Sequence, residues 1–113
     1  MMSLLKNFNE GSITLRELAN LAYDLKIINL KSPKIYEIIV DYFIKHSFTD
    51  VALINLGQRT SVNFIHAIFF CHPTLSNEAF FTVTRRFIMS NLDRFNKFQL
   101  IKLLDIYKYN QAF

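Results

Sequence analysis

Hydrophobic and polar positions along this chain recur with a helical period over most of its length. The first firm signal is Thr14-Leu15-Arg16-Glu17, which has the T-x-x-E form of a capping box. Thr14 accepts from a first-turn amide while Glu17 reaches back to the Thr14 N–H. Leu18, Leu21, Ala22, Leu25 and Ile28 follow at helical spacing and predict a helix ending near Asn29. Ser32-Pro33 restarts the chain, since Ser is a good N-cap and Pro at the first helical position gives up only a donor that has no partner there. Ile35, Ile38, Ile39, Tyr42 and Phe43 make one face of this second helix and Lys34, Glu37, Asp41 and Lys45 the other, with closure around residues 46–48.

Residues 49–56 admit two readings. They form a short helix capped by Asp50 and ended by Gly57, or an apolar loop lying across the other elements. The next segment, residues 61–72 with the sequence SVNFIHAIFFCH, differs from its neighbours. Val62, Ile65 and Phe69 occupy one side, and Phe64, Ile68 and Cys71 another, whereas a surface helix carries a single apolar stripe. Such a helix needs packing partners on two sides. Thr60 or Ser61 caps it, and Pro73 stops it. Ser76 or Asn77 starts a fourth helix, with Glu78 favourably placed at the N-terminal end of the helix dipole. Ala79, Phe80, Val83, Phe87 and Ile88 point inward and Thr82, Arg85 and Arg86 outward. Asn96 opens a fifth helix with Leu100, Leu103, Leu104 and Tyr107 on its apolar side and Lys97, Lys102 and Lys108 in water. Residues 1–10 carry little pattern, although Leu4, Leu5 and Phe8 fit one docked turn.

The chain resembles itself. A shift of 44 residues lays Leu18 over Val62, Leu21 over Ile65 and Leu25 over Phe69. The match continues through Ser32 with Ser76, Tyr36 with Phe80, Ile39 with Val83 and Phe43 with Phe87. A third copy begins where Leu100 and Leu103 follow Val62 and Ile65 by 38 residues, the six extra residues of the first interval falling at 49–59. An insertion there costs little on a surface. The expected fold is therefore all-α: one domain over residues 1–113, built as an α-solenoid of about two and a half helix–turn–helix repeats (14–48, 60–92 and a partial 97–113) with five main helices. The competing arrangement is a five-helix bundle whose internal likeness is accidental.

Composition agrees with helices. Among 113 residues, 12 Phe stand against 2 Gly and 2 Pro, too few turn residues for an all-β chain. The formal charge of +4 lies wholly in residues 57–113, because residues 1–56 carry six basic and six acidic side chains. A basic half suits contact with phosphates or an acidic surface, or is simply a solvated positive face. Cys71 is alone, so no internal disulfide forms and a reducing intracellular compartment is the natural expectation. No apolar run approaches the roughly 20 residues of a membrane-spanning helix. The opening MMSLLKNFNE makes a poor secretory signal and a weak organellar presequence, and a leader already removed is compatible with it.

The residues of known chemistries are missing or misplaced. There is no Gly-rich phosphate loop, no CxxC and no HExxH. Cys71 and His72 diverge on one helical turn and do not chelate alone. Cys71 reads as a small buried thiol, His66 as a hydrogen-bonded structural histidine, and His46 as a cation favoured at a helix C-terminus. The carboxylates are scattered. The chain is expected to be non-catalytic, with no metal and no cofactor. Its best functional cluster is Arg85, Arg86, Arg94 and Lys97, joined by Lys102, which converge at one end of the stack and suit phosphate contact. Phe95 and Phe98 beside them stack on a base or staple the core. A solvated edge, or pairing with Glu78 and Asp93, is the plain alternative.

The unit ELANLAYDLKIINLKSPKIYEIIVDYFIKH resembles the octotricopeptide and heptatricopeptide repeats of organellar RNA proteins, akin to the helical region of FAST-kinase-like proteins. Leu18-Ala19-Asn20-Leu21-Ala22-Tyr23-Asp24-Leu25 follows their L-A-x-L-x-x-x-L first helix, and Val62 to Phe69 follows it loosely. The resemblance covers residues 14–110 and implies mitochondrial RNA metabolism, most directly a component of the mitochondrial ribosome. It also implies RNA contact through polar positions of the first helix of each unit: Arg16, Asn20 and Asp24, then Asn63 and His66, then Gln99, Lys102 and Asp105. With under three copies a base-by-base code is not expected, and about two or three nucleotides at most are read, which suits a fixed seat in a ribonucleoprotein better than sequence-specific binding alone. A second expectation is a protein–protein scaffold or accessory subunit of another mitochondrial complex. The unfinished third unit would then seat Leu103, Leu104 and Tyr107 on a neighbour. On sequence grounds the RNA contact is the basic end, and reversing Arg85 and Arg86 to Glu is expected to abolish it.

Overall fold

The computed structural model of the chain describes residues 13–46 and 49–109, and all regular structure in them is helical. The helices are α1 (Leu15–Ile27), α2 (Pro33–His46), α3 (Asp50–Leu56), α4 (Gln58–Cys71), α5 (Glu78–Ser90) and α6 (Lys97–Tyr109), with a 3₁₀ turn at Leu92–Arg94. The fold is all-α. The docked turn expected around Leu4, Leu5 and Phe8 lies outside the described residues.

Local chemistry fixes the helix ends. The α1 capping box is closed in both directions, Glu17 N–H to Thr14 Oγ1 and Thr14 N–H to Glu17 Oε1, each at 3.1 Å. At the other end Asn29 adopts φ 60°. Its N–H donates to the Lys26 carbonyl at 2.9 Å, while the Leu30 N–H donates to Leu25 at 3.0 Å. This is a Schellman closure, with Asn in the left-handed position that few residues other than Gly accept. Asn77 Oδ1 accepts from the Phe80 N–H at 3.0 Å and starts α5. Asn96 and Gln99 exchange side-chain-to-backbone bonds of 2.9 and 3.0 Å and start α6.

The ambiguous residues 49–56 are a helix, and Thr49 rather than Asp50 caps it, its Oγ1 accepting from the Ala52 N–H at 3.3 Å. Gly57, at φ 93°, both ends α3 and begins α4, a left-handed hinge suited to Gly. The central helix consequently starts at Gln58 without a side-chain cap, three residues before Ser61. Released from capping, the buried Ser61 hydroxyl donates to the Leu53 carbonyl at 2.5 Å and ties α4 back onto α3.

Helix α4 lies along α1 on one flank and α6 on the other. Asn63 pairs with Lys102 and His66 with Asp105, so residue numbers rise together along α4 and α6 and the two run parallel. Helices α2 and α5 carry the chain back: α2 packs on α1 and α4, and α5 on α2 and α3. Nine of the 14 residues of α4 are buried, which accounts for its two apolar sides. The Phe80 ring of α5 joins the layers, with centroids 5.7 Å from Phe43 of α2 and 6.1 and 5.8 Å from Phe64 and Phe69 of α4. Buried apolar residues from every helix form one continuous core. The radius of gyration, 13.1 Å, is that of a closed globule of this length.

Helix α6 turns differently from expectation. Leu103 and Ile106 are buried against α4, so Leu103 is not on an open face, whereas Leu104 is 67% exposed and Leu100 is partly exposed. Apolar residues on both sides of α6 leave periodicity unable to choose the inner one. Tyr107 lies in α6, but its side chain is outside the described set.

Phe80 has no exposed surface and touches three other rings. Phe80→Ala is expected to cost about 3–5 kcal/mol, measured as a lower urea midpoint with an unchanged m-value.

Candidate nucleic-acid interface

The parallel helices α1, α4 and α6 leave a groove on their outer side. Its main part, about 330 Å³, is lined by Tyr23 of α1, Arg59 and Asn63 of α4, Lys102 and Gln99 of α6, and Asn96 and Phe98 at the start of α6. Tyr23, Arg59 and Asn63 also line a continuation of about 180 Å³ that reaches Asn20 and Thr60. Lys102 lines a third hollow, about 300 Å³, between α4 and α6 with His66 and Asp105. The first two parts have no carboxylate among their described lining residues.

Side chains here are held by each other. Lys102 Nζ, half-buried, donates to Asn63 Oδ1, so this lysine is not merely solvated. One turn along, His66 Nε2 lies 2.8 Å from Asp105 Oδ2 with the ring 6% exposed. A carboxylate accepts, so Nε2 carries the hydrogen and Nδ1 is a bare acceptor, buried without a hydrogen-bond partner. Burial pushes the His66 pKa below its ordinary 6.5, the Asp105 hydrogen bond pulls it part of the way back, and Lys26 and Lys102 push it down again. Lys26 is itself held below its ordinary value by burial and by Lys102. Its ammonium lies 5.7 Å from the Phe70 ring centre and 5.9 Å from that of Tyr23, and Lys31 lies 5.2 Å from Phe70. Lys26 is thus close enough to feel both Lys102 and Asp105.

The residues expected from sequence divide between this groove and other places. Asn20, Asn63, Gln99 and Lys102 line it. His66 and Asp105 pair with each other beside it. Arg16 is occupied elsewhere, its guanidinium donating to the Leu56 carbonyl at the end of α3 at 3.4 Å. Of the basic cluster only Lys102 reaches the groove. Arg85, on the outer side of α5, lies 3.8 Å from Glu78 and 5.8 Å from the Phe81 ring centre. Arg86, Arg94 and Lys97 are exposed and do not line the groove. Phe95 is buried edge-on against Phe87 at 5.7 Å, whereas Phe98 is 75% exposed. Tyr23, Arg59 and Asn96 are the lining residues that sequence reasoning passed over. Arg59 falls in the 49–59 stretch that holds the extra residues of the repeat, and only Gly57 as a helix junction signals that it belongs to α4.

Among the described residues no helix is long and apolar enough to cross a membrane. Comparison with protein families, characterised proteins and solved structures finds no match for the chain.

Because His66 is held below its ordinary 6.5, the unfolded chain takes up a proton there first. Its contribution to stability is complete above that pH and shrinks as pH falls through the folded-state value. Protonation would also put a second N–H at Nδ1 with no acceptor beside it. The urea midpoint is expected to fall from about pH 7 to about pH 5, and His66→Gln to flatten that fall relative to the parent chain.

Proposed function

We propose that this chain is a non-catalytic helical-repeat protein that binds RNA within a mitochondrial ribonucleoprotein, most directly as a component of the mitochondrial ribosome. The internal repeat and the octotricopeptide-like first helices supply the class and the organelle. The observation that carries RNA binding is the groove across α1, α4 and α6, with Arg59 and Lys102, amide side chains and no described carboxylate on its walls. The groove also gathers four of the polar positions that the repeat resemblance assigns to RNA contact. The outer cations Arg85, Arg86, Arg94 and Lys97 add sequence-independent phosphate attraction.

A second reading is favoured by the outer side of α6. Phe98, Ile101 and Leu104 recur every three residues there and are 75%, 52% and 67% exposed. That stripe suits the seat of a scaffold protein or accessory subunit on a neighbouring protein of another mitochondrial complex. Co-purification separates the two: ribosomal RNA with the chain supports the first, and a respiratory or membrane complex without RNA the second.

The logarithm of RNA affinity is expected to fall linearly with log salt, with a slope of about 0.7 per phosphate contacted. Arg59→Glu is expected to weaken binding and make that slope shallower by about one phosphate contact, as measured by fluorescence anisotropy. The Arg85→Glu, Arg86→Glu double variant, decisive on sequence grounds alone, is here expected to lower affinity less than Arg59→Glu. A larger loss from the double variant would return the site to the basic edge.

A further inference from the structure

The groove is unequal in what it offers a ligand. Asn63 spends its Oδ1 on Lys102, Asn96 its Oδ1 on the Gln99 N–H, and Gln99 its Oε1 on the Asn96 N–H. Each amide oxygen is thus engaged within the protein, while each –NH₂ group is left outside these bonds. With Arg59 and Lys102 on the same walls, the groove presents donors and positive charge to a ligand rich in acceptors. Phe98 adds a flat apolar face at 75% exposure, the most exposed large apolar side chain among the described residues. At about 330 Å³ the space is at the small end of ligand pockets, enough for one planar group and too narrow for a helix of protein or nucleic acid.

We infer that this groove takes an unpaired base of single-stranded RNA, stacked on Phe98, with its carbonyl oxygens and ring nitrogens toward the amides of Asn63, Asn96 and Gln99 and its phosphate at Arg59. The inference rests on the RNA-binding reading and sharpens it to single strands. In a duplex the base faces are stacked and the Watson–Crick edges paired, so neither Phe98 nor the amides have anything to engage. An unpaired base offers both, and stacking tolerates any base.

The test uses the full chain and a single-stranded RNA of about ten residues containing a fluorescent base analogue. The parent chain is expected to bind the strand and quench the analogue. Phe98→Ala is expected to weaken binding about tenfold and remove the quenching, the loss of one base–aromatic stack, and Phe98→Tyr to restore both. An unlabelled duplex of the same sequence is expected to compete poorly. Phe98 is exposed, so these variants keep the fold, which far-ultraviolet circular dichroism checks. Should the parent chain bind while Phe98→Ala binds and quenches as well, or the duplex compete equally, the groove inference is overturned and RNA binding elsewhere on the surface stands. No binding by the parent chain overturns the RNA reading together with the inference built on it.

Discussion

The structure depends on the burial of α4 on both of its flanks. A helix with nine of 14 residues buried is too apolar to border water on either side, and the chain before and after it is arranged to prevent that. Helix α1 covers one flank and α6 the other, while Phe43 and Phe80 close the back of the helix over Phe64. Tilted and edge-on ring pairs add about 0.5–1.5 kcal/mol each beyond the area they bury. The ring cluster therefore holds the connecting helices α2 and α5 against the central one.

Parallel neighbours on α4 have a geometric consequence. Helix axes pack about 8–10 Å apart, so the outer side of such a layer is furrowed wherever the side chains above the contact are short. In α4 those positions fall to Thr60 and Asn63, polar and small beside the buried Phe64, Ile65 and Ile68. The same helix is thus core on most of its circumference and groove floor on the remaining strip. Its apolarity and the position of the candidate site have one origin.

Most of the helix map was legible because the start signals are local. The Thr14–Glu17 box, Pro33 and Asn77 each work within one turn of backbone, and the structure starts a helix at each of them as the sequence implies. Two features were not local. The start of α4 depends on Gly57 serving two helices at once, and recognising it requires knowing that 49–56 is helical. The inward side of α6 depends on which of two apolar sides finds α4, and Leu103 and Ile106 do so while Phe98, Ile101 and Leu104 do not. The groove was half legible. Asn20, Asn63, Gln99 and Lys102 follow from the repeat register, but Arg59 and Tyr23 join them only through packing between helices. Charge counting points to Arg85 and Arg86, which line neither part of this groove, because a linear count weighs cations equally whatever side of the stack they occupy.

Helix α6 supplies one wall of the groove while burying only a narrow apolar strip against α4. Its position is set as much by polar bonds as by hydrophobic contact. Lys102 to Asn63 and His66 to Asp105 are one helical turn apart and lie on one line across the two helices. Two such bonds fix both the height and the rotation of α6, which a slippery apolar contact does less well. Neither bond removes a charge, since Asn63 is neutral and burial holds His66 toward its neutral form. Asp105 is turned toward His66, and the Lys102 ammonium is drawn over Asn63. Both side chains are thus held between α4 and α6, with Lys102 on the groove wall and Asp105 not among the described lining residues. The bonds that dock α6 therefore also place an ammonium on the groove wall and keep the carboxylate one turn away from it.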